Sequence, residues 1–318
     1  MTAPRVSVCV CTFNGAEVVG RAIESILGQT HGDFELLVAD DASSDRTIEV
    51  VKRYREPRLR IVENPRNLGN ARNRSLAIRV SCGELVKFVD QDDWIAPSCL
   101  AEHIRLLDAN PGLGFSFSRR AISVERPVSP DDDLRSTAAR DLHSALGDLS
   151  EVMPGQALLK RFVGAGLRDN WIGEPTSVMV RRACLERSLL FNRRLRSMLD
   201  MDLWIRLMAF FDVGFLDAAL VTRSVGRATD TMTIRARRSD WLDRLWLLEG
   251  LSEFGELWGR YPKFATMRRS DQKSLLVSMA TGRYRAVRPA DAIADAGAYM
   301  SHLARRMAGR PRSLFDRL

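Results

Sequence analysis

Residues 85–94 read Leu-Val-Lys-Phe-Val-Asp-Gln-Asp-Asp-Trp. An apolar run, Leu85 to Val89, delivers the chain into three carboxylates within four positions, Asp90, Asp92 and Asp93, with Trp94 directly after. Like charges this close repel and resist shared burial. One aspartate would suffice as N-cap of a helix starting near Pro97, and three exceed what a cap requires. A divalent cation removes the repulsion. Hard oxygen ligands on a short Asp-x-Asp segment suit Mn²⁺ or Mg²⁺, which bind through one or two carboxylates plus substrate phosphates. The stretch therefore reads as a strand that ends in a metal–diphosphate site, with Asp92 and Asp93 as the metal ligands.

The segments before it give that strand its neighbours. Val6–Cys11, Phe34–Ala39 and Leu59–Val62 are β-branched or apolar runs and read as strands. Between them, Asn14 and Glu17 have capping-box spacing ahead of Val18, Ala22, Ile23, Ile26 and Leu27, which recur at helical intervals. Further helices are expected from about Asp45 to Tyr54 and from about Gly69 to Val80. Strands alternating with helices at this spacing predict an α/β fold, a mostly parallel, Rossmann-like sheet with helices on both faces. In such sheets ligands bind beyond the carboxyl ends of the strands. Three of those ends carry polar groups: Thr12-Phe13-Asn14, Asp40-Asp41 and Asp90-Gln91-Asp92-Asp93. Asp40 or Asp41 suits a hydrogen bond to a base or ribose, with a second metal site as the alternative. The fork of Arg72 suits a phosphate or a carboxylate near the base.

With 318 residues, 45% of them hydrophobic and 28% charged, the chain is long enough for one large or two smaller globular domains. Its five cysteines are scattered and lack a Cys-x-x-Cys pair, which argues for reduced thiols rather than a disulfide framework or a structural zinc. No signal peptide or membrane-spanning run is legible, so a cytoplasmic protein is expected. The net charge is +8, and the chain from Arg223 onward holds 19 Lys plus Arg against 10 Asp plus Glu. That basic end suits an anionic surface such as the inner face of a membrane, where the protein would sit peripherally; it shows no nucleic-acid-binding motif. The expected organisation is a main domain over 1–238, divided at 123/124, with a polar insertion at 124–165, followed by a basic helical appendage over 239–318.

Four motifs in order and spacing, VSVCVCTFN, LLVADDASSDRT, NPRNLGNARNRSL and VKFVDQDDW, resemble the family 2 glycosyltransferases with the GT-A fold. A later block, GEPTSVMVRRACLERSLLFNRRLRSMLDMDLWIRL, resembles the acceptor half of that family. It has Leu199 where a Glu is usual, and Leu190 and Asn192 around Phe191 where Gly and Asp are usual. The resemblance implies an inverting, metal-assisted glycosyltransferase of polysaccharide, glycolipid or glycosylated natural-product synthesis, with a nucleotide-sugar donor and a glycan, lipid-linked or small-molecule acceptor. It implies that Thr12, Asn14, Glu17 and Gln91 line the nucleotide-sugar pocket. Asp40 or Asp41 would contact the base, with Arg72 in support. Asp90 would face the ribose or donor sugar, Asp92 would hold the metal, and Asp200 would take the proton from the acceptor. Glu174, Asp202 and Trp204 fall on the acceptor side, with a core role for Trp204 as the alternative. Two rival functions are a sugar-phosphate nucleotidyltransferase, which should carry a basic Gly-rich loop after the first strand, and a non-catalytic nucleotide-sugar-binding protein with a degenerate acceptor site.

Overall fold

Val6–Thr12 forms the first strand, β1, with apolar side chains on both faces, as suits a strand covered on both sides. The computed structural model describes residues 3–124, 142–167, 169–225, 240–254, 259–280 and 297–305. After β1 come α1 (Val19–Leu27), β2 (Phe34–Asp40), α2 (Thr47–Val51), β3 (Leu59–Glu63), α3 (Asn70–Val80), β4 (Leu85–Asp90), β5 (Trp94–Ile95), α4 (Cys99–Ala109) and β6 (Leu113–Val124). The second half supplies β7 (Val152–Met153), α5 (Gly155–Gly164), β8 (Val178–Arg181), α6 (Arg182–Arg187), α7 (Leu199–Phe210), β9 (Asp212–Val225), α8 (Asp240–Leu251) and α9 (Lys263–Ala280).

The sheet runs β3-β2-β1-β4-β8-β6-β9-β5, with β7 added on β9. The pairings β1/β2, β1/β4, β2/β3 and β6/β9 are parallel; those of β8, β5 and β7 are antiparallel. This bears out the expected mostly parallel sheet with helices on both faces. The register sets Thr12 opposite Asp40 and Cys11 opposite Asp90. The polar ends of β1, β2 and β4 therefore finish level at one edge.

Alternation along the strands feeds two cores. Val8, Val10, Leu36 and Val38 pack with α1 and α4 on one face. Cys9, Leu37, Phe88, Phe115 and Phe117 pack with α3, α5 and α7 on the other. The C-terminal helices join the second core through Leu245, Trp246, Leu248, Phe264 and Met267.

Two local expectations change. The Asn14–Glu17 capping box does not form: α1 starts later, at Val19, without a side-chain cap. Asn14 instead takes a left-handed backbone (φ 49) and accepts from Ser44 N at 2.8 Å. The described part of the expected insertion, from residue 142, is core rather than cover. Leu158, Leu159, Phe162 and Val163 of α5 are buried against α7. A Cβ at Gly155 would collide with the Phe211 carbonyl oxygen, so only glycine permits this approach. All five cysteines are free thiols. Among the described residues no helix is long and apolar enough to cross a membrane. Much of the basic segment assigned to a membrane surface, 281–296 and 306–318, lies outside the described residues.

Candidate active site

A cleft of about 850 Å³ opens over the ends of β1 and β4, and Thr12, Asn14, Glu17, Asp41, Asp90, Gln91, Asp92, Asp93, Glu174 and Asp200 all line it. Asp40, Arg72, Asp202 and Trp204 do not.

On the β1–β2 side the two adjacent aspartates separate in role. Asp40 is buried and fully engaged: it accepts from Thr12 Oγ1 at 2.7 Å, from Ser43 Oγ at 2.5 Å and from Ser43 N at 2.8 Å. It braces the loop after β2. Asp41 lines the cleft and accepts from Leu68 N at 2.7 Å and Gly69 N at 2.8 Å, which ties the entry of α3 to β2. Gln91 forms an amide-like pair with Phe13, accepting from its N–H at 3.0 Å and donating to its carbonyl at 3.2 Å. Phe13 itself is 42% exposed and lines the cleft.

Of the arginines on α3, Arg74 and not Arg72 lines the cleft. Helical spacing explains the exchange. Ala71, Arg74, Ser75 and Ile78 share the buried stripe of α3, whereas Arg72 is only partly buried. Arg74 Nη2 donates to Asp90 Oδ1 at 2.5 Å.

The three aspartates after β4 also divide. None caps α4, whose N-cap is Ser98. Asp93 is buried; its Oδ2 accepts from Thr176 Oγ1 at 2.8 Å and its Oδ1 from Ser224 N at 3.1 Å. Each oxygen accepts one hydrogen bond from the second half of the chain, so Asp93 stitches the two halves together while it lines the cleft beside Asp92. Burial, and next the charge of Asp90, push the Asp92 carboxyl up to about 6. No group of three or more His, Cys, Asp or Glu among the described residues forms a complete metal cage. One or two carboxylates completed by a diphosphate suit Mg²⁺ or Mn²⁺, and Asp92 beside Asp90 at the cleft fits that arrangement. Trp94 packs under the Arg21 guanidinium, 3.8 Å from ring centroid to Cζ, and pairs with Thr222 on β9.

The opposite wall comes from the second half. Asp200 stands in the first turn of α7 and accepts from Met201 N at 2.9 Å and Asn170 Nδ2 at 3.0 Å. Burial pushes its carboxyl up to about 6; the charge of Asp90 adds to that and Arg74 opposes it. Glu174 reaches the cleft but is held by Arg120 and, at 2.8 Å, by Arg223. The acceptor-side expectation for Asp202 and Trp204 is corrected. Asp202 is fully buried and pairs with Arg206 one turn on, at 2.6 Å. That arginine holds the Leu189 and Leu190 carbonyls, each at 3.1 Å. Trp204 is 1% exposed, stacks on Phe115 and donates to the Gly173 carbonyl at 3.0 Å. It is a core residue.

The motif reading missed Arg196, Ser197, Arg223 and Ser224 on the cleft wall, and Asn170, which lies outside the lining and holds Asp200. Asp243 of α8 acts from behind, accepting from Arg196 N at 3.0 Å, Ser197 N at 2.5 Å and Ser197 Oγ at 2.8 Å. It anchors the loop that leads into Leu199 and Asp200.

A family model described as "Glycosyl transferase family 2" matches residues 7–164. An uncharacterized protein of Mycobacterium tuberculosis is 32% identical over 248 residues, covering 78% of this chain and 76% of that protein. Among solved structures, Staphylococcus aureus TarS (residues 1–349) superposes with a TM-score of 0.60 at 19% identity, covering 84% of this chain and 72% of that one. The mannosyltransferase PcManGT of Pyrobaculum calidifontis, solved with GDP-Man and Mn²⁺, gives 0.56 at 19% identity over 94% of this chain and 81% of that one. The sheet order, the level strand ends and the matched profile agree: the chain belongs to glycosyltransferase family 2 and is a glycosyltransferase with the GT-A fold.

Proposed function

We propose that this cleft moves a sugar from a nucleoside-diphosphate donor to an acceptor hydroxyl with inversion at the anomeric carbon, and that Asp200 is the base. The observation that carries the proposal is one carboxylate, Asp200, lining the same cleft as the Asp90–Asp92 pair but from the opposite half of the chain. An acceptor alcohol is a weak nucleophile and needs its proton removed as it attacks. A carboxyl pushed up to about 6 is a stronger base than an ordinary aspartate and is still mostly ionised at neutral pH. Asn170 and the Met201 N–H fix its orientation. A single base opposite the leaving group gives one displacement, hence inversion.

Asp92 is the residue that would hold Mn²⁺ or Mg²⁺, with Asp90 beside it turned to the sugar. Such an ion, when bound, stabilises the charge that develops on the departing diphosphate. In this reading Asp41 and Phe13, which line the cleft, receive the base by hydrogen bonding and stacking. The metal-bearing mannosyltransferase complex among the structural neighbours supports both metal and donor class. The acceptor belongs to polysaccharide, glycolipid or glycosylated natural-product synthesis, and the basic C-terminal segment would bring the enzyme to an anionic membrane face when that acceptor is lipid-linked.

A thermal-shift panel of nucleotide sugars with and without Mn²⁺ tests the donor assignment, because a ligand that binds only the folded state raises its stability. At least one donor should stabilise the protein, and more so with Mn²⁺. NMR of the transfer product then reads the anomeric configuration; retention would refute the single-displacement reading.

A further inference from the structure

The Arg74 side chain is 8% exposed and is clamped on two of its three nitrogens. Nε donates to Asn70 Oδ1 at 2.6 Å and Nη2 to Asp90 Oδ1 at 2.5 Å. The Phe88 ring lies on its flank, with Cζ 5.3 Å from the centroid. The third nitrogen, Nη1, is buried and has no hydrogen-bond partner among the described residues. A guanidinium cannot shed its proton, so a buried N–H left unmatched is costly. Arg74 lines the cleft, and a ligand there can supply the missing acceptor.

From this geometry we infer that Arg74 is a donor-sugar contact: Nη1 hydrogen-bonds a hydroxyl of a neutral transferred sugar, while Asp90, which Arg74 holds in place, accepts from the sugar. The inference deepens the proposed function and rests on the reading of the cleft as a nucleotide-sugar site. The surroundings select a hydroxyl over an anion. Arg74 shares its wall with Asp90, and its charge is felt at Asp92 and Asp200. A phosphate or sugar carboxylate bound at Nη1 would meet the charge of Asp90 beside it, with Asp92 and Asp200 within electrostatic reach. An alcohol accepts from Nη1 and at the same time donates to a carboxylate oxygen, which matches the donor–acceptor pair the wall offers. The two clamped nitrogens fix the direction of Nη1, so the contact is specific in angle as well as in charge.

The test compares a nucleotide sugar with its own nucleoside diphosphate. Calorimetry in Mn²⁺ measures the binding of UDP, UDP-glucose, UDP-N-acetylglucosamine, GDP and GDP-mannose to the full chain, to Arg74→Met and to Arg74→Lys. The lysine variant keeps a positive charge for Asp90 but has no third nitrogen, so it carries the test if Arg74→Met fails to fold. A lost hydrogen bond from a charged donor corresponds to about a 10- to 100-fold drop in affinity. That drop should appear for the nucleotide sugar the wild-type protein prefers, while the diphosphate changes by less than about threefold on the same scale. Equal losses for both ligands would place Nη1 on a phosphate and overturn the inference, as would unchanged binding of both. A wild-type protein that binds no nucleotide sugar in the panel removes the donor reading and this inference together; binding that is insensitive to both variants removes the inference alone.

Discussion

Replacing Asp200 with Asn should stop transfer and yet stabilise the protein, and only above a definite pH. In the folded chain the carboxyl is pushed from the ordinary 3.8 up to about 6, principally by burial. Ionising it therefore costs the folded state free energy that the unfolded chain does not spend. A displacement of that size corresponds to about 3 kcal/mol. The sign follows from linkage. Below the unfolded value both states are protonated and the cost is absent; it develops as pH rises through the interval and is complete above about 6. The amide introduced by Asp200→Asn would still accept from either Asn170 Nδ2 or Met201 N, but its own NH₂ would oppose the second donor. Loss of one hydrogen bond offsets about 1 kcal/mol or more, leaving a net gain of roughly 1 to 2 kcal/mol. At about 2–4 °C per kcal/mol that is a rise in Tm of roughly 2–8 °C. Differential scanning calorimetry of ligand-free wild type and Asp200→Asn at pH 8 and pH 4 reads it directly. The gain should be present at pH 8 and vanish or reverse at pH 4. Transfer at pH 8 should fall by at least about 10²-fold with donor affinity retained. A Tm difference that is the same at both pH values would refute the claim that burial of an ionised carboxylate limits stability here, and near-normal turnover would refute the base assignment.

Three further outcomes are expected. Asp92→Ala should make nucleotide binding indifferent to EDTA, whereas the wild-type protein should lose about 10-fold or more in affinity on chelation; equal EDTA sensitivity in both, by calorimetry, argues against Asp92 as the metal ligand. Trp204→Phe should lower stability by about 1–3 kcal/mol in urea titration, because the Gly173 carbonyl loses its donor, with acceptor KM unchanged; a selective rise in acceptor KM would restore the sugar-platform role. Asp243→Asn weakens three bonds to residues 196–197, so kcat should drop about 10-fold or more while donor Kd stays, as expected when a catalytic group is mispositioned; parallel loss of donor binding would show that the loop serves the donor instead.

Local patterns carry much of this protein. The β-strand and helix periodicities, the apolar strands ending in Thr12, Asp40 and Asp90, and the placement of Asp200 at the head of an apolar helix are legible because each depends on residues close in the chain. The 142–165 stretch misleads because the polar run that precedes it masks its own apolar stripe, Leu158, Leu159, Phe162 and Val163, which folds by finding α7. Favouring Arg72 over Arg74 neglects helical phase, although the stripe Ala71, Arg74, Ile78 is itself in the sequence.

The sequence alone determined which chemical groups reach the carboxyl edge of the sheet, because the order and spacing of βαβ units decide where each strand ends. Only tertiary structure decided which partners each of those groups meets. Asp93 meets Thr176 and Ser224, Asp40 meets Thr12 and Ser43, and Asp202 meets Arg206. Asp92 and Asp200 line the cleft from opposite halves of the chain, Asp200 held there by Asn170 and the Met201 N–H, and burial pushes both carboxyls up. A carboxylate's role depends on which donors and how much water surround it, and here most of those donors come from chain segments dozens of residues away.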